Sequence, residues 1–287
     1  MGTDLIENIK KIYQKCSKSQ KRIADYIFNN YDKAAFMTAA VLAQKADVSE
    51  STVVRFASKM GYDGYPKFQK ALQELIRNKL TSLQRMEITS TKMAEKDVLK
   101  NVLTSDAERL RQTIEEIDEN EFTGAVETIL SAKTIYIMGT RSCSSVASFL
   151  GFYFNLIFPN VKTVVTNSAS ETFEQIYPIT KDDVMIAISY PRYSRRTINA
   201  VKYAADRKSK IIAVTDVLTS PITQNATYAL LARSDMSFFV DSLVAPLSVI
   251  NALIIAVVMR KKDEVTQIFE NLENIWDEYE VYEKYNH

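Results

Sequence analysis

The stretch Asp182–Asp216, DDVMIAISYPRYSRRTINAVKYAADRKSKIIAVTD, decides the fold of the carboxyl-terminal half of the chain. It begins with an apolar run, Val184–Ile188, and ends with another, Ile211–Thr215, and both have the length of a buried strand. The segment between the two runs is long enough for a crossover helix. A strand, a helix and a strand in this order predict a right-handed βαβ unit.

Two earlier apolar runs extend this pattern towards the amino terminus. Thr134–Met138 (TIYIM) ends at a glycine, and Val161–Thr166 (VKTVVT) follows after another segment of helix length. The alternation predicts an α/β domain with a parallel sheet flanked by helices. Ligands of such sheets bind beyond the carboxyl ends of the strands. The loop Ser189–Thr197, which holds three arginines, lies beyond one of those ends.

The amino-terminal part has a different pattern. Residues 4–80 show helical spacing of apolar side chains almost throughout, with short breaks such as Gly61–Pro66. Residues 81–96 lack an apolar stripe and predict a partly helical linker, followed by helices near 97–118 and 120–131. The chain is therefore predicted to be a multidomain protein with an all-α domain over 1–80, a linker with connecting helices over 81–125, and an α/β domain over 126–287.

The net charge differs between the three predicted parts of the chain. The whole chain has a net charge of +1, but residues 1–80 hold 14 Lys and Arg against 8 Asp and Glu, a net charge of +6. Residues 81–125 hold 6 against 10, and the remainder holds 16 against 17. This asymmetry indicates that the amino-terminal end meets a polyanion and that the other end does not.

The segment Leu42–Phe68, LAQKADVSESTVVRFASKMGYDGYPKF, has the layout of a helix-turn-helix. Its first helix would end at Ala46, Asp47 and Val48 would form the turn, and Ser49 would cap the second helix. The pattern alone also fits an ordinary amphipathic helix with a solvated polar face. On a DNA-binding helix, hydroxyls and Lys would suit phosphates, and Arg could reach base edges. The predicted DNA-binding residues are Ser49, Ser51, Thr52, Arg55 and Lys59.

The stretch Ser19–Leu72, with V-S-x-x-T-V-V-R-F and G-Y-D-G-Y-P, closely resembles the amino-terminal domain of RpiR-type bacterial transcription regulators. The resemblance implies DNA binding, with Ser49–Lys59 as the recognition helix. It also implies that the second part of the chain is a SIS (sugar isomerase) domain, and residues 126–260 are similar to one.

The SIS motifs depart from their common form at two places. The first, commonly G-x-G-x-S-x-x-x-A, is Gly139–Ala147 here, with Arg141 at the second glycine and Cys143 where the phosphate-binding Ser is expected. The later motif, commonly S-x-S-G-x-T, is lengthened by Tyr-Pro-Arg-Tyr, and Arg195 takes the place of its glycine. The chain is similar to a branch of these regulators that holds G-x-R and P-R-Y-S-R together.

Arginine can replace glycine in anion binding by a different route. Gly-rich loops bind phosphate through backbone N–H groups at a helix N-terminus, whereas a guanidinium holds an oxyanion through two parallel hydrogen bonds. We expect Arg195 and Arg196 to be solvated residues of a helix start, and Cys143 to be either a small core residue or a thiol lining the site. The predicted ligand is a sugar phosphate or a related anionic metabolite. The predicted ligand-binding residues are Arg141, Cys143, Ser144, Ser189, Arg192, Ser194 and Thr197.

The sequence offers no well-placed side chain to act as a catalytic base, which argues against an enzyme. SIS domains also occur in aldose–ketose isomerases, which need a positioned base. The only histidine, His287, is the last residue, and Glu171 fits a ligand contact or a surface charge as well as a base. We therefore predict that the protein is not an enzyme. Two alternatives are a DNA-binding protein whose SIS domain only dimerises and a sugar-phosphate isomerase.

The cysteines and the longest apolar run bear on the cellular setting. Cys16 and Cys143 lie far apart without metal-binding spacing, which favours a reducing cytoplasm and predicts neither a metal site nor a cofactor. Ser242–Met259 is an uncharged run whose polar residues and proline favour a buried helix over a membrane span. The predicted protein is a cytoplasmic homodimer or homotetramer that binds a double-stranded DNA operator and responds to an anionic metabolite.

Overall fold

The structure, a computed structural model, describes residues 5–76, 81, 83–86, 97–166, 168–234 and 240–283. The chain divides into two units. The amino-terminal unit comprises Met1–Leu103 and Met236–Asp241, and the carboxyl-terminal unit comprises Thr104–Asp235 and Ser242–His287.

The amino-terminal unit is made of short helices, as the apolar spacing predicts. The helices are α1 Leu5–Tyr13, α2 Lys18–Asn29, α3 Tyr31–Ala34, α4 Ala39–Lys45, α5 Glu50–Lys59, α6 Tyr65–Ile76 and a short α7 over 83–86. Ser17 and Gln20 form a capping box at the start of α2. The turn before α6 contains Gly61 and Gly64 with φ of 89° and 85°, a backbone conformation that favours glycine at both positions.

One apolar core holds α1 to α6 together, and Phe68 of α6 lies within it. The Phe68 ring is fully buried, and its centroid lies 5.8 Å from that of Phe56 and 5.5 Å from that of Tyr62. Tyr65 is also buried, and its hydroxyl donates a hydrogen bond to the carbonyl of Met37 at 2.7 Å. The two tyrosines of G-Y-D-G-Y-P thus join the turn to the core, and the aromatic contacts stabilise it.

The buried Tyr65 should make this unit less stable at alkaline pH. Burial raises the pKa of its phenol to about 12, from about 10 for an exposed tyrosine. The folded state therefore favours the neutral phenol, whose stabilising contribution is complete below pH 10 and is lost as the pH rises from about 10 to about 12. We expect the wild type to lose ~1–2 kcal/mol of unfolding free energy over this range relative to Tyr65→Phe, as measured by urea denaturation. An equal loss in both proteins would contradict the assignment to Tyr65.

The carboxyl-terminal unit is built on a parallel sheet of five strands. The strands are β1 Ile135–Gly139, β2 Val161–Val164, β3 Val184–Ile188, β4 Lys210–Thr215 and β5 Tyr228–Leu231. The helices that follow α7 are α8 Val98–Glu116, α9 Glu119–Ser131, α10 Cys143–Ile157, α11 Ala169–Ile176, α12 Arg195–Asp206, α13 Val244–Arg260 and α14 Lys262–Glu278. The strand order is β2-β1-β3-β4-β5, and each neighbouring pair is parallel. The predicted α/β domain is confirmed.

Each face of the sheet packs against its own apolar core. Side chains alternate along a strand, so Ile186 and Ile188 enter the core shared with α9, α10 and α13. Met185 and Ala187 enter the second core, shared with α11 and α12. Every residue of β1 and β3 is buried as a result. The loops beyond the carboxyl ends of these strands are therefore the place where polar side chains meet at an accessible edge.

Two strands differ from the prediction by more than one residue at an end. The apolar runs do not predict β5, because its sequence YALL is short, half-buried and without β-branched residues. Its pairing with β4 and a hydrogen bond from the N–H of Ala229 to Glu121 at 2.7 Å stabilise it instead. β2 ends at Val164, before the predicted end at Thr166, since the Thr166 hydroxyl bonds Glu171 of α11.

The predicted linker contributes a buried ion pair to the amino-terminal unit. Arg85 of α7 is only 1% exposed, and its Nη1 lies 2.8 Å from Oδ1 of Asp241. The polar sequence around Arg85 does not predict burial. Residues 82 and 87–96 of that linker lie outside the described residues.

The apolar run Ser242–Met259 corresponds to α13, which confirms the prediction of a buried helix. Ile250, Leu253 and Val257 enter the sheet core. Among the described residues, no single helix is long and apolar enough to cross a membrane. The pair α13 and α14 meets that test only jointly and is bent by 98° at its junction.

Candidate functional site

The first candidate surface is the exposed face of α5 in the amino-terminal unit. Val53, Phe56 and Ala57 are fully buried against the unit's core, which fixes the rotation of α5 about its axis. Ser51 and Arg55 consequently face solvent. The helix before the turn, α4, and the helix after it, α5, lie where the sequence predicts the two helices of a helix-turn-helix.

Four of the five predicted DNA-binding residues lie together at the start of α5. The Ser49 hydroxyl lies 3.0 Å from that of Ser51 and 2.8 Å from that of Thr52. Nε of Arg55 donates to the carbonyl of Ser51 at 3.2 Å, so the guanidinium lies along the helix towards its N-terminus. The expectation that the Ser49 side chain caps α5 is wrong: Ser49 occupies the cap position, but its hydroxyl bonds the two neighbouring hydroxyls instead of a backbone N–H.

Lys59 lies apart from this cluster, at the last turn of α5. Its ammonium donates to the carbonyl of Lys15 at 2.5 Å and to Oε1 of Gln20 at 3.0 Å. These contacts connect the end of α5 to the junction of α1 and α2. The role of Lys59 in DNA binding stays a prediction.

The second candidate surface is the carboxyl edge of the sheet, where the loop between β1 and α10 begins. A Cβ on Gly139 would lie 2.4 Å from the carbonyl oxygen of Cys143, so the close approach of α10 to β1 requires glycine there. Arg141 follows with φ of 57°, the left-handed region, and is exposed. Arg141 therefore keeps the backbone conformation that suits the glycine of the common SIS motif while adding a charged side chain.

The loop between β3 and α12 contains a second arginine in the same conformation. Arg192 has φ of 68° and is exposed. Arg195, by contrast, is the first residue of α12, after Ser194 at the cap position. The left-handed residue of the lengthened loop is therefore Arg192, whereas Arg195, at the motif's glycine position, begins the helix.

Hydrogen bonds join this loop and the start of α12 to three neighbouring segments of the sheet edge. The Thr197 hydroxyl lies 3.2 Å from that of Thr140 in the β1–α10 loop. Nη1 of Arg196 donates to the carbonyl of Thr166 after β2 at 2.7 Å. The Tyr193 hydroxyl donates to Oδ1 of the buried Asp216 after β4 at 2.7 Å.

Most of the residues in this hydrogen-bond network are not among the ligand-binding residues that the sequence predicts. Arg196 is not the solvated residue that we expect from its place at a helix start, since it fastens α12 to the end of β2. Thr140 and Asp216 each follow directly after a strand, and this position is the signal that could have identified them.

The predicted ligand-binding residues separate by exposure. Arg141 and Arg192 are exposed, and Ser144 and Ser194 are half-buried. The Ser144 hydroxyl donates to the carbonyl of Arg141 at 2.6 Å and so supports the loop. The remaining three are buried beneath the edge: Cys143, Ser189 and Thr197.

Of the two residues weighed for catalysis, Glu171 lies within the part of the chain that the structure describes. Glu171 is exposed on α11, where its carboxylate accepts a hydrogen bond from Thr166. His287 lies outside the described residues. Among the described residues, no group of three or more His, Cys, Asp and Glu side chains is placed to hold a metal ion.

Comparisons with known proteins agree with both halves of this architecture. Residues 3–79 match the model of the helix-turn-helix domain of the rpiR family, and residues 128–256 match the model of the SIS domain. A helix-turn-helix-type transcriptional regulator of Clostridium perfringens is 27% identical over 82% of this chain and 84% of its own length. The transcriptional regulator HexR of Escherichia coli is 24% identical over 90% of this chain and 89% of its own length.

Two solved structures have the same fold. The sugar isomerase domain of an RpiR transcription factor from Sphaerobacter thermophilus is 26% identical, with a TM-score of 0.59, and covers 62% of this chain and 99% of that one. The Vibrio vulnificus NanR protein complexed with ManNAc-6P is 22% identical, with a TM-score of 0.58, and covers 96% of this chain and 98% of that one. The two family matches together account for well over half of the sequence and occur in the order that the structure shows. The chain belongs to the RpiR-type family of transcriptional regulators, with an amino-terminal helix-turn-helix domain and a carboxyl-terminal SIS domain.

Proposed function

We propose that this regulator binds a phosphorylated sugar or a related anionic metabolite at the carboxyl edge of its sheet, and that the bound metabolite changes its affinity for an operator. One observation supports the site above all others: Arg141 and Arg192 project from two neighbouring loops of this edge, both in the left-handed backbone region. A non-glycine residue in that conformation raises the free energy of the fold by about 1 kcal/mol or more. Strain of this kind at two arginines of one edge favours a functional reason for their presence.

The two arginines can hold one oxyanion between them. A guanidinium binds phosphate or carboxylate oxygens through parallel N–H donors, and it does not need the exposed backbone N–H groups of a Gly-rich loop. The loops that hold them are joined by the Thr140–Thr197 hydrogen bond and fastened to β4 by Tyr193 and Asp216. This bonding limits the movement of the two loops relative to each other and so reduces the ordering entropy that binding must overcome.

The ligand class follows from this charge and from the fold. The V. vulnificus NanR protein, which shares the fold, is complexed with ManNAc-6P, a phosphorylated sugar. A sugar phosphate offers both a dianion for the two guanidinium groups and sugar hydroxyls that can reach the Ser144 and Ser194 side chains at the same edge. We assign metabolite binding to residues 126–287 on these grounds.

The proposed operator contact is the exposed face of α5. A hydroxyl cluster of Ser49, Ser51 and Thr52 at a helix N-terminus suits phosphate oxygens, and Arg55 next to it suits a base edge. We assign operator binding to residues 1–80 and the connection between the two functions to residues 81–125. A homodimer would present two copies of α5 to the half-sites of a pseudo-palindromic duplex.

The competing proposal is a SIS domain that dimerises without binding a metabolite, because three of the predicted ligand-binding side chains are buried. A thermal-shift panel of hexose and N-acetylhexosamine 6-phosphates, with sulfate and inorganic phosphate as controls, separates the two proposals. A sugar phosphate that raises the melting temperature should also change the affinity for an operator selected from random duplexes. If the panel leaves both the melting temperature and operator binding unchanged, the SIS domain is a dimeriser only.

A further inference from the structure

The positive charge of residues 1–80 is concentrated in one short segment. Residues 10–22, KKIYQKCSKSQKR, hold six Lys and Arg and no Asp or Glu. The range 1–80 holds 14 Lys and Arg against 8 Asp and Glu, so without this segment its charges balance. A polyanion attracted by the net charge of this range would therefore be drawn mainly to the end of α1 and the start of α2.

Contacts within the amino-terminal unit account for part of this charge. Lys10 and Lys11 lie in the last turn of α1, where the helix dipole favours positive charge. Arg22 forms an ion pair with Asp47. The ammonium of Lys21 lies over a tyrosine ring, 5.4 Å from its centroid, which is a favourable cation–π distance.

The other two lysines of the segment, Lys15 and Lys18, lack contacts of this kind. Both are exposed, and within the described residues neither ammonium group pairs with a carboxylate or a ring. Lys18 begins α2, whose first turn holds no acidic residue. A positive charge there opposes the helix dipole, which favours negative charge at a helix N-terminus. A lysine that disfavours its own helix indicates a role with a negatively charged partner.

Hydrogen bonds join this junction of α1 and α2 to the end of α5. The ammonium of Lys59 donates to the carbonyl of Lys15 at 2.5 Å and to Oε1 of Gln20 at 3.0 Å. The same oxygen of Gln20 accepts the N–H of Ser17 at 3.1 Å in the capping box of α2. The start of α2 is therefore held against the last turn of α5.

The exposed face of α5 leads to this junction. Ser51, Arg55 and Lys59 are exposed and follow one another at intervals of four residues, which places them on one side of the helix. From Ser51 to Lys59 the helix rises by about 12 Å, about the width of the major groove. A helix that enters the groove with its N-terminal end would therefore have its Lys59 end near the phosphates that border the groove.

We propose that Lys15 and Lys18, together with the N-terminal end of α2, form a second DNA-contacting surface, the junction surface, which binds the phosphate backbone beside the groove that α5 enters. The inference rests on the operator contact of the proposed function and adds to it a contact that positions the duplex without reading bases. Ammonium groups and a helix N-terminus both suit phosphate oxygens. The contact with the end of α5 favours DNA as the source of these phosphates over a lipid surface.

The double variant Lys15→Gln/Lys18→Gln tests the junction surface in the full chain. Each phosphate contact contributes about 0.9 to the slope of log affinity against log salt concentration, so the slope should become shallower by about two. Affinity at 0.1 M salt should fall roughly 60-fold for the selected operator and for an unrelated duplex alike. Fluorescence anisotropy over a series of salt concentrations measures both quantities. An unchanged slope, or a lost preference for the operator over the unrelated duplex, would overturn the proposal.

Lys33→Gln is the matched control for Lys18→Gln. Lys33 is an exposed lysine of α3, which follows the carboxyl-terminal end of α2, and it lies about 18 Å along that helix from Lys18. Lys18→Gln should lower the slope by about one and leave the melting temperature unchanged or higher, because it removes a charge that opposes the helix dipole. Lys33→Gln should leave the slope unchanged. A decrease as large as that of Lys18→Gln would mean that only net charge matters, and would refute a localised surface.

Cleavage by a tethered reagent locates the contact on the duplex. Both native cysteines, Cys16 and Cys143, are buried, so iron–EDTA coupled to Lys18→Cys should cut the backbone beside the operator half-site, whereas the same reagent on Lys33→Cys should not. Absence of cutting from Lys18→Cys would contradict the junction surface. So would vesicles of equimolar phosphatidylserine and phosphatidylcholine that bind the wild type and lose the double variant while duplex binding stays unchanged.

The same measurements distinguish failure of this surface from failure of the operator contact. A wild type that binds no duplex with salt-dependent affinity refutes the operator contact of the proposed function together with the junction surface. A wild type whose operator binding depends on Arg55 but not on Lys15 and Lys18 refutes the junction surface alone.

Discussion

Arg192→Gly and Arg141→Gly should each lower the affinity for the sugar phosphate while leaving the protein at least as stable as the wild type. Hydrogen bonds to a charged group contribute about 1.5–3 kcal/mol each, so losing one guanidinium should weaken binding roughly 10- to 150-fold. Isothermal titration with the compound that gives the largest thermal shift measures this change. The double variant should show no binding at accessible concentrations.

The expected gain in stability comes from the backbone. Both arginines have φ in the left-handed region, 57° and 68°, where glycine has no Cβ clash. Relief of that strain, about 1 kcal/mol, opposes the larger entropy that glycine gives to the unfolded chain, about 0.5–1 kcal/mol. We therefore expect the free energy of unfolding to stay equal or to rise slightly, so that loss of binding cannot be attributed to loss of folding.

Two further variants make this test specific. Arg195→Ala removes the same charge from an exposed residue of α12 whose backbone is helical, and it should leave binding within about threefold of the wild type. Arg192→Lys keeps a positive charge but loses the planar donors, so it should bind more weakly than the wild type and more tightly than Arg192→Gly. If Arg195→Ala weakens binding as much as Arg192→Gly, the anion contacts the start of α12 and not the two strained loops.

We propose that α8 connects metabolite binding with operator binding. The connection that follows β5 bonds α8 at two places, through Arg233 to Thr113 and Glu116 and through Ser242 to Asp106. α8 in turn runs from the carboxyl-terminal unit into the amino-terminal one. A change of operator affinity requires that the metabolite bind the two arrangements of this connection with different affinity.

The parts of the fold that depend on local periodicity could be predicted from the sequence. The core positions of α5, such as Val53 and Phe56, repeat at helical spacing, and the buried strand Val184–Ile188 is an unbroken apolar run. β5 could not be predicted in this way, because its stability comes from its pairing with β4 and from Glu121, which are distant in sequence.

In the candidate site, too, the residues of a local motif could be predicted, whereas contacts between residues far apart in the sequence could not. Its two exposed arginines are visible as departures from a glycine-rich motif, but the conformation of each depends on how the lengthened loop closes over the sheet edge. The motif spacing identifies Arg195 as the residue at the glycine position, but it does not reveal that Arg192 has the left-handed conformation. Arg196 and Asp216 are part of the site through partners 30 and 23 residues away, which spacing alone does not reveal.

Arg55→Ala should reduce specific operator binding by ~1–3 kcal/mol, roughly 5- to 150-fold, with little effect on metabolite binding. Arg55 lies one turn from the N-terminus of α5, beside the Ser49, Ser51 and Thr52 hydroxyls, where a recognition helix reaches base edges. Fluorescence anisotropy with the selected operator and with an unrelated duplex, at several salt concentrations, separates specific from electrostatic binding. The unrelated duplex should lose much less affinity than the operator.

Arg55→Lys and Lys59→Ala determine whether Arg55 reads bases. Arg55→Lys keeps the charge and loses the bidentate donors, so it should keep the salt dependence of the wild type and lose most of the operator preference. Lys59→Ala removes the same charge as Arg55→Ala from the other end of α5, where the ammonium is engaged with Lys15 and Gln20. A phosphate contact by Lys59 would lower the slope of the salt dependence by about one and weaken both duplexes equally. If Lys59→Ala instead abolishes the operator preference and Arg55→Ala does not, the carboxyl-terminal end of α5 enters the groove, and the assignment of base recognition to its amino-terminal end is wrong.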